Sequence, residues 1–235
     1  MRKFGFALAS LLALSAAEAN ATAVTAVANP GQPSVVGARI RWGGTGFEAS
    51  ILDFTSGTLV QSPVLNLQGA PFWASRLNQA FDFRITFDNI GGTIALMLDL
   101  DQDGDFDGGQ FQESISLTLP ILIDESFGFV QLSGNESGST ARSRVDLVNL
   151  EGEELGSLVP DGQLINSFYS LTPPDGNILL TGEITFETLG TAQERPSYSF
   201  TFSRPLATEV PAPASLSLVA GGLLLAGAFG RRRRA

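Results

Sequence analysis

Apolar and polar residues alternate over much of this chain, with the two-residue period that is typical of half-buried β-strands. The clearest case is residues 81–88, where Phe81, Phe83 and Phe87 fall on one face and polar or charged residues on the other. Residues 93–98 form a shorter run that is almost entirely apolar. Turn-forming residues follow both segments, so the pattern predicts strands here.

About a dozen such segments follow one another between residues 35 and 203, separated by clusters of Gly, Pro, Asn and Asp. Residues 22–209 show no convincing helical period, and one short helical turn is expected within residues 71–80. The pattern therefore predicts an all-β fold, an antiparallel β-sandwich, with a jelly roll as one arrangement considered. A single domain over residues 35–204 is the simpler organisation. The alternative is a break near residues 133–140 into two smaller β units.

The beginning of the chain does not follow this pattern. Arg2 and Lys3 precede an apolar stretch over residues 4–17, and two overlapping small-x-small cleavage sequences end at Ala19 and Ala21. This order predicts a signal peptide over residues 1–21, cleaved after Ala21, with Ala19 as the alternative site. Residues 22–34 are small, polar and proline-containing, so we expect a flexible lead-in there.

The other end of the chain carries a second apolar segment. Residues 205–214 are a proline-containing linker, and the uncharged run at 215–230 is followed by four consecutive arginines, Arg231, Arg232, Arg233 and Arg234. As a helix the run would rise about 24 Å, somewhat less than the roughly 30 Å of a bilayer core. Tilt or local thinning covers the difference, and the arginines indicate a cytoplasmic end. Residues 215–235 are therefore predicted to form a hydrophobic helix in the inner membrane.

This tail resembles the PEP-CTERM sorting signal of Gram-negative bacteria. The matching features are Val210, Pro211 and Pro213, the Leu- and Gly-rich run, and the terminal arginines, while Ala212 stands where the family has Glu. The resemblance implies that exosortase, a membrane enzyme, cuts near the prolines, whereas signal peptidase removes the leader. It also implies an exported protein that reaches the cell surface or the extracellular space beside exopolysaccharide-making machinery. An ordinary anchor helix that stays in place is the alternative.

Composition excludes several classes of partner and chemistry. The net charge is −10, and six of the basic residues lie in the two ends, so the part between them is strongly acidic and nucleic acid is not expected as a partner. Cysteine and histidine are absent, and Lys3 is the only lysine. This excludes disulfides, Ser-His-Asp and Ser-Lys catalysis, and zinc sites built on thiolate or imidazole. Carboxylate chemistry remains, either as paired acids or as oxygen ligands for a metal ion.

One stretch concentrates carboxylates at a spacing suited to a metal ion. Residues 99–107 read D-x-D-x-D-G-x-x-D, which matches the first nine positions of an EF-hand-like calcium loop. A chain that wraps around an ion turns alternate residues inward, and Gly104 permits the sharp turn. Oxygen donors without nitrogen or sulfur favour Ca²⁺ over transition metals. The predicted calcium ligands are Asp99, Asp101, Asp103, Asp105 and Asp107.

Two features depart from an EF-hand. Position 12 is Gln110 where a bidentate Glu is usual, and the next acid is Glu113; the flanking segments are also predicted strands. The loop resembles the calcium-binding β-hairpin loops of integrin propellers and other FG-GAP repeats. That resemblance implies that Asp105 binds through its main-chain carbonyl and the other four aspartates through their side chains. An acidic, solvated hairpin turn is the alternative.

The sequence thus predicts an exported structural or adhesive protein of the cell surface or extracellular matrix, associated with exopolysaccharide and stabilised by calcium. No enzymatic activity is expected. The alternative is a calcium-dependent carbohydrate-active enzyme, a hydrolase or lyase, on a jelly-roll fold. Phe81, Phe83 and Phe87 are expected in the core, and Trp42 and Trp73, which lie beside turns, are considered as sugar platforms.

Overall fold

Two antiparallel β-sheets pack as a sandwich in the computed structural model, which describes residues 22–43, 46–106, 113–188 and 196–206. This arrangement confirms the predicted all-β sandwich. Within the described residues the strands, in chain order, are β1 (Ala23–Val27), β2 (Ser34–Gly43), β3 (Gly46–Asp53), β4 (Val60–Gly69), β5 (Ala80–Asp88), β6 (Thr93–Leu98), β7 (Ser114–Thr118), β8 (Phe127–Asn135), β9 (Arg142–Leu150), β10 (Glu153–Leu158), β11 (Leu164–Asp175), β12 (Asn177–Thr188) and β13 (Ser197–Ser203). A short helix, α1 (Ala70–Ala74), overlaps the helical turn expected there, and a 3₁₀ turn spans Pro120–Leu122.

The two sheets draw strands from both halves of the chain. The seven-stranded sheet has the order β1-β11-β8-β13-β2-β3-β4, and the six-stranded sheet has the order β10-β9-β12-β5-β6-β7. β13 pairs with β2 and β12 pairs with β5, so strands from before and after residues 133–140 are hydrogen-bonded neighbours in each sheet. The compact unit that contains the described strands ends at Arg204. The parts of the chain before and after residues 133–140 therefore share both sheets.

Aromatic side chains fill the space between the sheets. Phe81, Phe83 and Phe87 are each at most 2% exposed, which confirms that this stripe belongs to the core. Phe83 of the six-stranded sheet meets Phe200 of the seven-stranded sheet, with ring centroids 5.1 Å apart. Trp73 in α1 is completely buried, so it is not an exposed sugar platform. Burying a Phe side chain contributes about 1.5–3 kcal/mol, and these rings therefore hold the two layers together.

The first strand lies in a segment that the sequence predicts to be flexible. β1 pairs with β11, from Ala23 opposite Thr172 to Val27 opposite Phe168. Its side chains are half-buried or exposed, so no apolar alternation marks it as a strand. Backbone hydrogen bonding to the otherwise open edge of β11 holds it in place. Within the predicted lead-in over residues 22–34, Ala23–Val27 therefore form an edge strand, and Ser34 begins β2.

Several sequence-based predictions fall outside the described residues. These are the signal peptide at 1–21, the hydrophobic helix at 215–235, and the processing residues Val210, Pro211, Pro213, Arg231, Arg232, Arg233 and Arg234. The side chain of Trp42 also lies outside the description. Among the described residues, no helix has the length and apolar character that crossing a membrane requires.

Candidate metal centre

The acidic loop begins where two neighbouring strands of the six-stranded sheet end. β6 and β7 are antiparallel partners, and the amide of Leu98 donates to the carbonyl oxygen of Glu113 at 2.8 Å, which extends their ladder by one residue. The next amide, that of Asp99, donates to the carbonyl oxygen of Asp82 on β5 at 2.9 Å. Asp99, the first residue of the loop, is therefore hydrogen-bonded to β5, and Glu113 lies directly before β7.

Three carboxylates converge at this point. One oxygen from each of Asp99, Asp101 and Glu113 lies within 4.8 Å of the other two. Asp99 is 3% exposed and Glu113 is 1% exposed, so two of the three are almost removed from water. Carboxylate oxygens at this separation can bind one hard cation between them.

Hydrogen bonds fix the orientation of these carboxylates. Oε1 of Glu113 accepts from the amide of Leu100 at 2.7 Å and from the amide of Asp101 at 3.3 Å. The two oxygens of Asp99 accept from the amides of Asp103 at 3.2 Å and Gly104 at 2.9 Å. These bonds use Oε1 of Glu113 and one lone pair on each oxygen of Asp99, so the remaining lone pairs of the two carboxylates have capacity to bind a cation.

The backbone of the loop turns where the sequence predicts it. Gly104 has a φ of 84°, a left-handed conformation that glycine adopts without steric cost. Gln102 also has a positive φ, 60°, and its side-chain amide donates to the carbonyl oxygen of Ala80 at 2.5 Å. That bond connects the middle of the loop to the beginning of β5.

Three ionised carboxylates at this distance repel one another when no cation lies among them. Burial raises the pKa of the Glu113 carboxyl above its ordinary value, and the negative charges of Asp101 and Asp99 raise that pKa further. The amide donors of Leu100 and Asp101 act in the opposite direction and lower it. A cation in the group would remove the repulsion between the charges.

The structure brings together only some of the predicted ligands. Asp99 and Asp101 belong to the three-carboxylate group, whereas Asp103 and Asp105 are exposed and outside it. Oδ1 of Asp103 accepts from the amide of Asp105 at 2.9 Å, a short-range bond that shapes the turn. Asp107 lies outside the described residues. Glu113 was not among the predicted ligands, although it is the first acid after the loop and follows Gln110 at position 12.

Another buried carboxylate, outside this group, has a different environment. Glu136 is completely buried, and its oxygens accept from the amides of Ser143 at 2.6 Å and Gly162 at 3.0 Å. The hydroxyl of Ser143 donates to it as well, at 3.1 Å, and Arg142 lies 3.8 Å away. Protein groups therefore satisfy this carboxylate. We interpret Glu136 as structural.

A cleft of about 350 Å³ lies beside the loop, on the outward side of the six-stranded sheet. Gly104 and Phe106 of the loop form part of its lining, and the guanidinium of Arg84 lies 4.6 Å from the centroid of the Phe106 ring. Asp82 on β5 and Glu183 on β12 also line the cleft. These two acids are directly opposite in the strand register, and the sequence alone did not pair them.

The chain matches no protein-family model, and no curated protein sequence matches it.

Proposed function

We propose that this chain is an exported, calcium-stabilised protein with a structural or adhesive role at the cell surface or in the extracellular matrix, in association with exopolysaccharide. The buried group of Asp99, Asp101 and Glu113 is the observation that supports calcium binding. The leader and the tail support export, and their resemblance to a sorting-signal protein supports the association with exopolysaccharide. Exosortase and signal peptidase would be processing partners, and the tail would hold the chain in the inner membrane before processing.

Calcium suits the donor set. All three converging side chains offer carboxylate oxygens, and the described residues contain no histidine or cysteine that could recruit a softer metal. Calcium accepts irregular geometry with main-chain carbonyls and water completing its shell, whereas magnesium demands a near-ideal octahedron. In this proposal the ion closes the connection between β6 and β7 and takes no part in a reaction.

Thermal unfolding of the full chain tests the calcium site. If calcium binds only the folded state, a concentration one hundred times Kd stabilises the protein by about 2.7 kcal/mol. For a protein of this size, that corresponds to a rise in Tm of about 5–10 °C. Glu113→Gln should abolish most of this rise, because the amide keeps the size of the side chain but removes its charge. Differential scanning calorimetry with and without calcium gives the measurement.

The matched control is Glu154→Gln, which neutralises an exposed acid on β10 far from the loop in sequence. This variant should retain the full calcium shift, and a chelator should reverse the shift in both the control and the unaltered chain. Magnesium should produce a smaller rise than calcium at equal concentration. A Tm that does not respond to calcium would show that the loop is an acidic turn.

An enzymatic alternative also has a specific observation in its favour. Asp82 and Glu183 face each other in a cleft that the proposed calcium loop helps to line, and two carboxylates flanking a glycosidic bond are the usual machinery of glycoside hydrolysis. The alternative is therefore a calcium-dependent carbohydrate-active enzyme, a hydrolase or lyase on a jelly-roll fold. Polysaccharide turnover that Glu183→Gln abolishes, with the calcium shift in Tm preserved, would favour the enzyme over the adhesive protein.

A further inference from the structure

Three adjacent strands of the seven-stranded sheet, β11, β8 and β13, differ in charge from the six-stranded sheet. Neither β8 nor β13 contains Asp, Glu, Lys or Arg, and none occurs in residues 164–174 of β11. On the six-stranded sheet, Asp82, Glu183 and Asp146 instead form a row across β5, β12 and β9. A chain of net charge −10 therefore has an uncharged surface on three adjacent strands of one sheet.

Two neighbouring cavities form an uncharged groove at this surface. One cavity of about 390 Å³ lies between residues 29–33 and the side chains of β8 and β11. A second, of about 440 Å³, lies beside residues 26–29 and β11. Asn29, Asn166 and Phe168 line both cavities, so the two cavities are neighbours. None of the residues that line either cavity is charged.

Two aromatic rings and two amides from β8 and β11 line the first of these cavities. Phe129 and Phe168 are half-buried and occupy diagonal positions on β8 and β11, since Phe168 is opposite Gln131 and Phe129 is opposite Ser170. The side-chain amide of Gln131 donates to Oδ1 of Asn166 at 3.0 Å. That single bond orients both amides and leaves most of their donor and acceptor capacity for a ligand.

We propose that this groove binds a neutral polysaccharide chain. The face of an aromatic ring carries partial negative charge and attracts the C–H groups of a sugar ring, while amides bond to its hydroxyls. Ligand sites typically combine apolar surface with a few such polar groups in a cavity of about 300–1,000 Å³. This inference rests on the proposed adhesive function and names its surface and ligand class.

The charge pattern argues against a polyanionic ligand. The groove has no lysine or arginine to pair with uronate or phosphate groups, and the negative charge of the whole chain would repel them. The groove also lacks the carboxylates that would attract a cationic polymer. Binding of an uncharged glycan should therefore change little between low and high salt, because no ion pair forms.

The experiment measures binding of the full chain, in calcium, to immobilised dextran, hydroxyethyl cellulose and galactomannan, with alginate as the anionic comparison. We expect retention on at least one neutral polymer, weak retention on alginate, and little effect of salt. Phe168→Ala should weaken binding about tenfold or more, the order expected for one lost aromatic contact and its hydrophobic area. Asn166→Ala should weaken it severalfold, and since Asn166 is exposed this variant tests the groove even if Phe168→Ala folds poorly.

The matched control is Leu179→Ala, which removes an apolar side chain that is 44% exposed on the other sheet and should leave binding unchanged.

Failure of all three neutral polymers to bind would overturn the inference, as would a preference for alginate or a steep salt dependence. Glycan binding that neither groove variant weakens would overturn the groove while leaving the adhesive function in place. A concentration-dependent dimer that buries Phe168 and excludes glycan would assign the groove to a second copy of the chain instead. The calcium shift in Tm is independent of all these outcomes.

Discussion

Gly182 lies directly opposite Phe83 in the pairing of β12 with β5. A Cβ atom at Gly182 would lie 2.8 Å from two atoms of the Phe83 ring and 3.1 Å from the carbonyl oxygen of Asp146. The Phe83 ring also packs against Phe200 of the opposite sheet. The missing side chain at one residue therefore makes room for a ring that connects the two layers of the sandwich.

We expect Gly182→Ala, which changes this one residue, to destabilise the protein. The added methyl group would displace the Phe83 ring or separate the backbones of β12 and β9, and overpacking of this kind typically costs about 1–3 kcal/mol. The control is Thr181→Ala on the same strand, where the side chain is only half-buried and the free energy of unfolding should change less. Urea unfolding of both variants provides the comparison. Equal stability of the two variants would show that the Phe83 ring adjusts without cost.

At the scale of secondary-structure elements, the buried carboxylate of Glu136 connects the ends of several strands. It lies just after β8, and it accepts hydrogen bonds from Ser143 on β9 and from Gly162 in the turn before β11. The hydroxyl of Ser143 is also 3.2 Å from the hydroxyl of Tyr198 on β13. Glu136 thus links strands of both sheets, because β8 and β11 belong to the seven-stranded sheet and β9 to the six-stranded sheet, and Ser143 extends the link to Tyr198.

Glu136→Gln should weaken this junction. The amide has one acceptor oxygen instead of two, so either Ser143 or Gly162 would face an N–H group, and hydrogen bonds to charged groups contribute about 1.5–3 kcal/mol each. We expect the free energy of unfolding to fall by about 2 kcal/mol on this basis. The loss should appear with calcium and without it, since the junction is separate from the metal centre. If Glu136→Gln and the Glu154→Gln control had the same urea midpoint of unfolding, the Glu136 carboxylate would not connect the strands.

For the whole molecule, the chain divides into two apolar ends and an acidic middle. Six of the basic residues lie in the ends, so an exported mature form without them would be more acidic than the full chain. Within the sandwich the acids are unevenly placed, with a carboxylate row on one outward side and an uncharged groove on the other. Such a distribution would leave one side to interact with cations and the other with uncharged polymers.

The two ends predict a specific processing result. In a bacterium that has exosortase, the protein recovered from the cell surface or medium should begin at Thr22, or at Asn20 for the alternative site, and should lack residues 215–235. Intact-mass measurement gives both termini. Replacing Arg231, Arg232, Arg233 and Arg234 by alanine should leave the unprocessed chain in the inner membrane fraction. A mature protein that keeps residues 215–235 would show that the tail is an ordinary anchor.

Most of the strands were predictable because they follow a local pattern of apolar and polar residues. The two-residue period of residues 81–88 places Phe81, Phe83 and Phe87 on the core face whatever the strand pairs with, and the structure confirms this. β1 was missed because its side chains are not buried, and only the edge of β11 makes it a strand. Gly104 was predictable for the same local reason, since its turn lies within the loop itself.

The sequence by itself determined the all-β sandwich, the acidic loop and the absence of thiol or imidazole chemistry, since these follow from composition and short-range periodicity. Only the tertiary structure placed Glu113 beside Asp99, because that contact depends on how β6 and β7 pair. The same holds for Asp82 opposite Glu183, and for Phe129 beside Phe168. Residues distant in sequence meet through strand register, which is set by the packing of the whole sheet and not by any one segment.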